Sequence, residues 1–334
     1  MRSRIFALLL VAVMVILAAC GAPSKEDVMK KLSGKWNDAK GYDLQASMEI
    51  KTGAEPRMYD VAVWHTKPAF YRVNVTQAGS KDSQMIVRNK EGVFVVTPSL
   101  GKTYKFQSDW PEQNSQAYLI GALSDDIKAD KNSTMTEKDK TYVFETATRN
   151  NHKKVLPTQQ IHIDKKTLLP TYVSVLDENK VEKIRITFKK ITLGVERKAA
   201  DYAVEMEDTN TSKEDEPAED DVTGLSTYYP SVAWEGVTLE NEDVVKTENG
   251  TRTFMSFEGE KEYVIIQEPA VRPDSKVPVS IEGDPVDLGF TVAALTEKSI
   301  RWESEGVSFF IASDTLTQDE MIEIAGSMQA EGMK

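Results

Sequence analysis

The chain has 334 residues, with 41 Lys and Arg against 53 Asp and Glu (formal charge −12), 40% apolar residues and a mean hydropathy of −0.41. This composition excludes a multi-span membrane protein and a disordered tail, and the length favours two domains over one. One cysteine and three histidines exclude a disulfide framework and a structural zinc site within the chain, since these need paired thiols or about four ligands.

Arg2 and Arg4 precede an apolar run, Ile5 to Ala19, that is too short for a stable membrane span and reads as an export signal over residues 1–19. Leu17-Ala18-Ala19-Cys20 matches the bacterial lipobox, which predicts cleavage between Ala19 and Cys20 and acylation of the new terminal cysteine. Acyl chains such as palmitate each contribute about 0.8 kcal/mol per buried methylene, so two or more hold a protein on a bilayer. The expected location is the extracytoplasmic face of the cell membrane, with no free thiol left. The alternative, a plain signal peptide beside an accidental cysteine, leaves an odd thiol in an oxidising compartment.

Residues 20–204 read as one β-rich domain. Ser24 and Asp27 have capping-box spacing, and Val28, Leu32 and Trp36 recur every four residues behind them, which predicts a short amphipathic helix. From Tyr42 to Ile50 apolar and polar residues alternate as in a half-buried strand. Further strands are expected at Met58–His65, Ala69–Thr76, Ser83–Asn89, Val93–Thr97, Lys102–Phe106, Thr134–Lys138, Thr141–Thr148, Thr158–Asp164, Pro170–Asp177 and Val181–Leu193. Short turns such as Lys67-Pro68 and Lys90-Glu91-Gly92 link them into one antiparallel meander, interrupted by a helix within Gln113–Ile127. A sheet that long must curl, and helices laid on its concave face would cover the apolar side.

Lys67-Pro68-x-x-Tyr71-Arg72-Val73, Gln84-Met85-Ile86 and Asn89-Lys90-Glu91-Gly92-Val93-Phe94-Val95-Val96-Thr97-Pro98 follow one another in an order that resembles the LolA-like lipoprotein carriers. Gln160-Ile161-x-Ile163-Asp164 and Ile184-x-Ile186-x-Phe188 are similar to that family's last hairpins. With the lipobox and the carboxy-terminal segment, the chain resembles the YdcC-type sporulation lipoproteins. The resemblance implies a mainly β fold with some α: a half-barrel closed by helices over an apolar cavity for acyl chains or apolar peptide. It also implies a functional arginine at Arg72, with Trp64, Phe70, Phe94 and Tyr118 as candidate lining. The chain departs from the LolA-like pattern at Phe94 and Val96, where that family carries tryptophan and tyrosine, and at Glu91 in place of aspartate.

Residues 205–221 hold nine carboxylates and one lysine with almost no apolar content, and read as an acidic linker. Their spacing lacks the glycine and terminal glutamate of a calcium-binding EF-hand loop. Residues 222–334 read as a small α+β domain. Strands are expected at Thr253–Phe257, Glu262–Gln267 and Phe290–Leu295, with a hairpin from Ile300–Glu303 and Val307–Ser313. Thr317 and Glu320 form a capping box before a closing helix. A LolA-like body followed by a smaller domain also resembles the RseB/MucB regulators, which bind a partner protein.

The charge is segregated. Residues 20–204 hold 30 basic and 23 acidic side chains, and residues 222–334 hold 8 and 21. A basic body suits an anionic surface, and an acidic distal domain suits a partner or the body itself. The leading expectation is a lipid-anchored, extracytoplasmic binding or scaffold protein for spore-envelope morphogenesis. Its partners would be the membrane through Cys20 and an envelope protein, with an acyl chain or apolar peptide as a further ligand and no nucleic acid. The alternative is a carrier of lipid or lipoprotein acyl chains. No cofactor, metal or enzymatic activity is expected: His65, His152 and His162 lie in strand or loop patterns without a nucleophile motif, and no carboxylate pair stands out.

Overall fold

Ser24 opens a helix as its spacing predicts: its hydroxyl accepts from the Asp27 amide at 3.1 Å and caps α1 (Lys25–Asp38), which buries Val28, Leu32 and Trp36. The computed structural model describes residues 23–51, 56–79, 83–106, 108, 110, 116–149, 153–204, 226–272, 277–288 and 290–330. Cys20, the signal segment, His152 and the acidic linker lie outside the described residues.

After α1 come β1 (Gly41–Ile50), β2 (Arg57–Thr66), β3 (Phe70–Gln77), β4 (Ser83–Asn89), β5 (Gly92–Thr97) and β6 (Lys102–Phe106), then α2 (Ile120–Ala129). β7 (Thr134–Lys138), β8 (Thr141–Ala147), β9 (Thr158–Asp164), β10 (Pro170–Leu176) and β11 (Glu182–Leu193) follow. Each of the two runs is an antiparallel meander, and pairing of β1 with β11, Tyr42 opposite Leu193 through Ile50 opposite Ile184, joins them into one sheet. Gly41 sits where β1, β2 and the chain after β11 converge; a Cβ there would lie 2.2 Å from the His65 carbonyl oxygen. The helix expected within Gln113–Ile127 begins only at Ile120, because Leu119 is still extended and its amide closes a turn onto the Gln116 carbonyl at 2.9 Å.

The second part of the chain gives β12 (Tyr228–Pro230), β13 (Val237–Thr247), β14 (Gly250–Gly259), β15 (Tyr263–Pro269), β16 (Val279–Ser280), β17 (Asp284–Asp287), β18 (Val292–Leu295), β19 (Ser299–Ser304) and β20 (Val307–Ala312). α3 (Gln318–Ser327) and β21 (Met328–Ala330) close it. Seven of these strands form a separate sheet in the order β13-β14-β15-β20-β19-β18-β17, and Thr317 and Glu320 cap α3 reciprocally as their spacing predicts. β16 pairs instead in parallel with β6 and becomes the twelfth strand of the large sheet.

Period-two burial assigns the faces. Leu44, Ala46, Met48, Val61, Val63, Val73, Ile86, Val93, Val95 and Ile186 point to one side, where α1 and α2 add Leu32, Trp36, Leu123 and Ile127. The Trp36 indole N–H donates to the Leu168 carbonyl at 2.9 Å, which satisfies its one polar atom within the core. The protein is thus mainly β: a large curled sheet with helices on its concave face, plus a carboxy-terminal sheet with one helix.

Candidate functional site

Four of the five sequence-predicted site residues come together, but away from the concave face, and Tyr118 stands apart from them. Trp64, Phe70, Arg72 and Phe94 occupy the face of the large sheet opposite the helices, where Val87, Phe94 and Tyr202 form a small core with Trp64, Phe70, Met85 and Val204 against it. A turn at Ala199–Tyr202 covers this cluster. The Tyr202 hydroxyl lies 2.8 Å from Thr66 Oγ1, and Arg72 donates through Nη1 to the Asp201 carbonyl at 2.9 Å and through Nε to Met85 Sδ at 3.0 Å. Arg197 lies 3.8 Å over the Trp64 ring and forks onto Asp43 at 3.0 and 2.6 Å. Each arginine therefore fastens the covering turn, or the segment leading into it, to the sheet.

Tyr118 lies on the other side. It is buried in the main core and its hydroxyl donates to Asp287 Oδ2 at 3.2 Å. Burial, with Asp287 adding to it, holds the phenol well above its ordinary pKa, so it stays a neutral donor.

Asp287 belongs to the second sheet, and this contact is one of several by which that sheet packs on the first. β18 carries the junction: Val292 and Ala294 pack into the core of the large sheet, while Ala293 and Leu295 pack into the core under α3. Gln84 on β4 donates from Nε2 to Thr291 Oγ1 at 3.1 Å and accepts from the Val292 amide at 2.7 Å. Glu303 on β19 is ion-paired with Lys102 and accepts from the Tyr104 hydroxyl at 3.1 Å, its side chain 7% exposed. Burial and the neighbouring carboxylate both push the Tyr104 phenol up. Arg57 stacks 4.6 Å from the Phe290 ring centroid, and Lys154 reaches Asp319 at 3.1 Å. Both ion pairs run from a cation of the basic part to a carboxylate of the acidic part.

Two recesses open along this junction. One, of about 370 Å³, is polar, with Gln77, Gln84, Arg272, Glu303 and Glu305 in its walls. The other, of about 200 Å³, is lined chiefly by Ile50, Leu156, Ile184, Val232, Leu288 and Ile322. Gln84 is visible in the sequence only as part of a motif, and Glu303 only as the end of a predicted strand. Their partners lie some two hundred positions away, and no local pattern announces such a contact.

His65 and His162 are buried on opposite faces. His65 Nδ1 lies 3.0 Å from the Phe70 carbonyl oxygen, and its ring stacks on Tyr71 at 4.2 Å. The His162 ring stacks on Tyr172 at 3.8 Å. Burial lowers both pKa values to about 4, against the Phe70 hydrogen bond in the first case and with help from Lys138 and Arg185 in the second. Both imidazoles are neutral at pH 7. No group of three or more His, Cys, Asp or Glu suited to a metal ion occurs among the described residues.

The family described as "Sporulation protein YdcC-like" matches residues 1–197. Over 333 residues, 98% of both chains, this sequence is 36% identical to the sporulation protein YdcC of Bacillus subtilis (strain 168). The chain belongs to the YdcC-like family of sporulation proteins. Among solved structures, it is similar to MucB in the MucA/MucB complex of Pseudomonas aeruginosa, at 13% identity and a TM-score of 0.33, covering 92% of this chain and 98% of that one. A LolA superfamily protein from Nitrosomonas europaea is similar at 8% identity and a TM-score of 0.32, over 55% of this chain and 99% of that one. The family match ends just after β11, whereas the likeness to the Bacillus subtilis relative continues through the second sheet.

Proposed function

We propose that this member of the YdcC-like family is a lipid-anchored binding protein of the developing spore envelope, tethered through Cys20 on the extracytoplasmic face, that holds an envelope protein at the membrane. The observation that carries the binding part is the filling of the concave face. α1, α2, the Tyr118–Leu119 turn and Val292 and Ala294 of β18 all pack there, so the chain's own side chains stand where a carried acyl chain would lie. The recesses at the junction are half-open to solvent and not closed cavities, and such a surface suits a protein partner better than an enclosed cargo. The anchor is supported by the lipobox and its charged and apolar flanks.

Affinity capture of the tagged, membrane-bound chain from sporulating cells after brief cross-linking tests this reading. The expected result is one envelope protein recovered in stoichiometric amount. Recovery of fatty acid or phospholipid by native mass spectrometry, with no stoichiometric protein, would favour the carrier alternative and overturn the proposal.

A further inference from the structure

Among the described residues, β13 is the open edge of the second sheet and pairs with β14 alone. Its nine inner residues, Thr238 to Lys246, are all exposed, and Leu239, Val244 and Val245 are 40%, 60% and 48% exposed. A bulge at Glu240 interrupts the ladder, leaving Asn241–Thr247 in unbroken register with Ser256–Gly250. Behind this edge, Phe254, Ile266 and Phe310 stand directly opposite one another across β14, β15 and β20, with Asp243 at one end of the row and Arg301 at the other. These three are only partly buried and belong to neither core. Their face continues the one that packs on the large sheet at β18, so among the described residues a half-exposed apolar surface, with Arg301 over Phe310, runs on to the β13 edge.

Exposed edges are ordinarily blunted against self-pairing by charged side chains, proline or bulges, and the sign of the charge decides which strand can still add. Here residues 235–248 carry five carboxylates and one lysine, within a segment of 8 basic and 21 acidic side chains. A second copy of so acidic a sheet is repelled, whereas a basic strand is attracted.

We propose that Asn241–Thr247 is a docking edge that accepts, by antiparallel strand addition, a basic extended segment of another protein. The proposal rests on the binding role argued above and gives it a surface. Residues opposite one another on a sheet share a face, so the pattern on β13 specifies its partner. Apolar side chains belong opposite Val245 and Val244, followed by cations opposite Asp243 and Glu242. Asp243 already accepts from Asn241 Nδ2 at 2.7 Å and Glu242 from the Tyr229 hydroxyl at 3.1 Å, which holds both carboxylates in place.

The probe is a fluorescent nonapeptide with Val-Val-Arg-Lys at its centre, titrated against the full-length chain in detergent and followed by anisotropy and hydrogen exchange. Saturable binding is expected, with new amide protection confined to Asn241–Thr247. Asp243→Lys with Glu242→Lys should weaken it about tenfold, and a Val-Val-Glu-Glu peptide should recover the loss. Val245→Asp, at an exposed position opposite Arg252, should weaken binding similarly while leaving the thermal midpoint unchanged. Absence of protection at Asn241–Thr247, equal affinity of the charge-reversed variant, or protection by self-association without peptide would each overturn the proposal. If the charge-reversed variant still captures a stoichiometric envelope protein, the binding role stands and this surface falls.

Discussion

Gln84→Ala tests whether the two sheets form one folding unit. In the native protein this amide bridges the junction with two hydrogen bonds, one to Thr291 Oγ1 and one from the Val292 amide, and Val292 is 9% exposed. A hydrogen bond contributes about 1 kcal/mol net, and a buried amide left without an acceptor costs a further 1–3 kcal/mol or so. The substitution should therefore destabilise the junction by about 3 kcal/mol, and Gln84→Met, which keeps the volume, by about 2 kcal/mol. At about 1.4 kcal/mol per factor of ten, the Val292 amide should exchange roughly 30- to 100-fold faster, while amides of β1 and β11, remote from the contact, keep their protection. Hydrogen exchange read by mass spectrometry over residues 284–304 measures this directly. An unchanged rate at Val292 in both variants would mean that the sheets are not docked in solution through this contact.

Lys102→Met should destabilise the protein by about 3–5 kcal/mol, because it leaves the Glu303 carboxylate buried without its cation. The double variant Lys102→Met with Glu303→Leu should recover most of that loss in denaturant unfolding; an additive loss would refute the pairing. Burial opposes ionisation of Glu182, but Arg185, Lys51 and Ser174 outweigh it and bring its pKa from 4.5 to about 2. This depressed pKa gives stability that is present above pH 4.5 and lost as the pH falls toward 2. With solvent screening around the partly exposed Lys51 and Arg185, it amounts to about 2 kcal/mol and should vanish from the acid limb of the stability curve in Glu182→Gln. His162, lowered from 6.5 to about 4, favours the folded state above pH 6.5 and costs progressively more as the pH falls to 4. His162→Phe, which preserves the stack on Tyr172, should flatten thermal stability across that interval by about 2 kcal/mol.

The large sheet was legible because its strands are half-buried. β1 and β2 alternate strictly, and their ends fall within a residue of the expected ones. α1 and α3 were legible through Ser24 and Thr317, whose side chains cap as their spacing requires. β13 was not, because exposed on both faces it has no alternation to read, and its Glu240, Glu242 and Asp243 resemble loop. β16 was hidden for another reason: two residues of the distal part complete the edge of the first sheet, a contact that only the tertiary fold creates. The site was less legible than the fold. Arg72, Trp64, Phe70 and Phe94 lie near one another as the motif implied, but on the face away from the helices, because Arg72 and Phe94 fall on the opposite phase of their strands from Val73, Val93 and Val95. Tyr118 lies in the turn before α2 and packs with the core residues beside it.

Under the proposed function, Cys20 keeps both the chain and its partner at the membrane. Quantitative mass spectrometry of membrane and soluble fractions from cross-linked sporulating cells, comparing the wild-type chain with Cys20→Ala, addresses it in one measurement. The account predicts that the wild-type chain and one stoichiometric envelope protein sediment together with membranes, and that Cys20→Ala moves the chain into the soluble fraction and depletes that protein from the membrane-bound complex. A variant that stays with the membranes, or a wild-type chain that sediments alone, would contradict it.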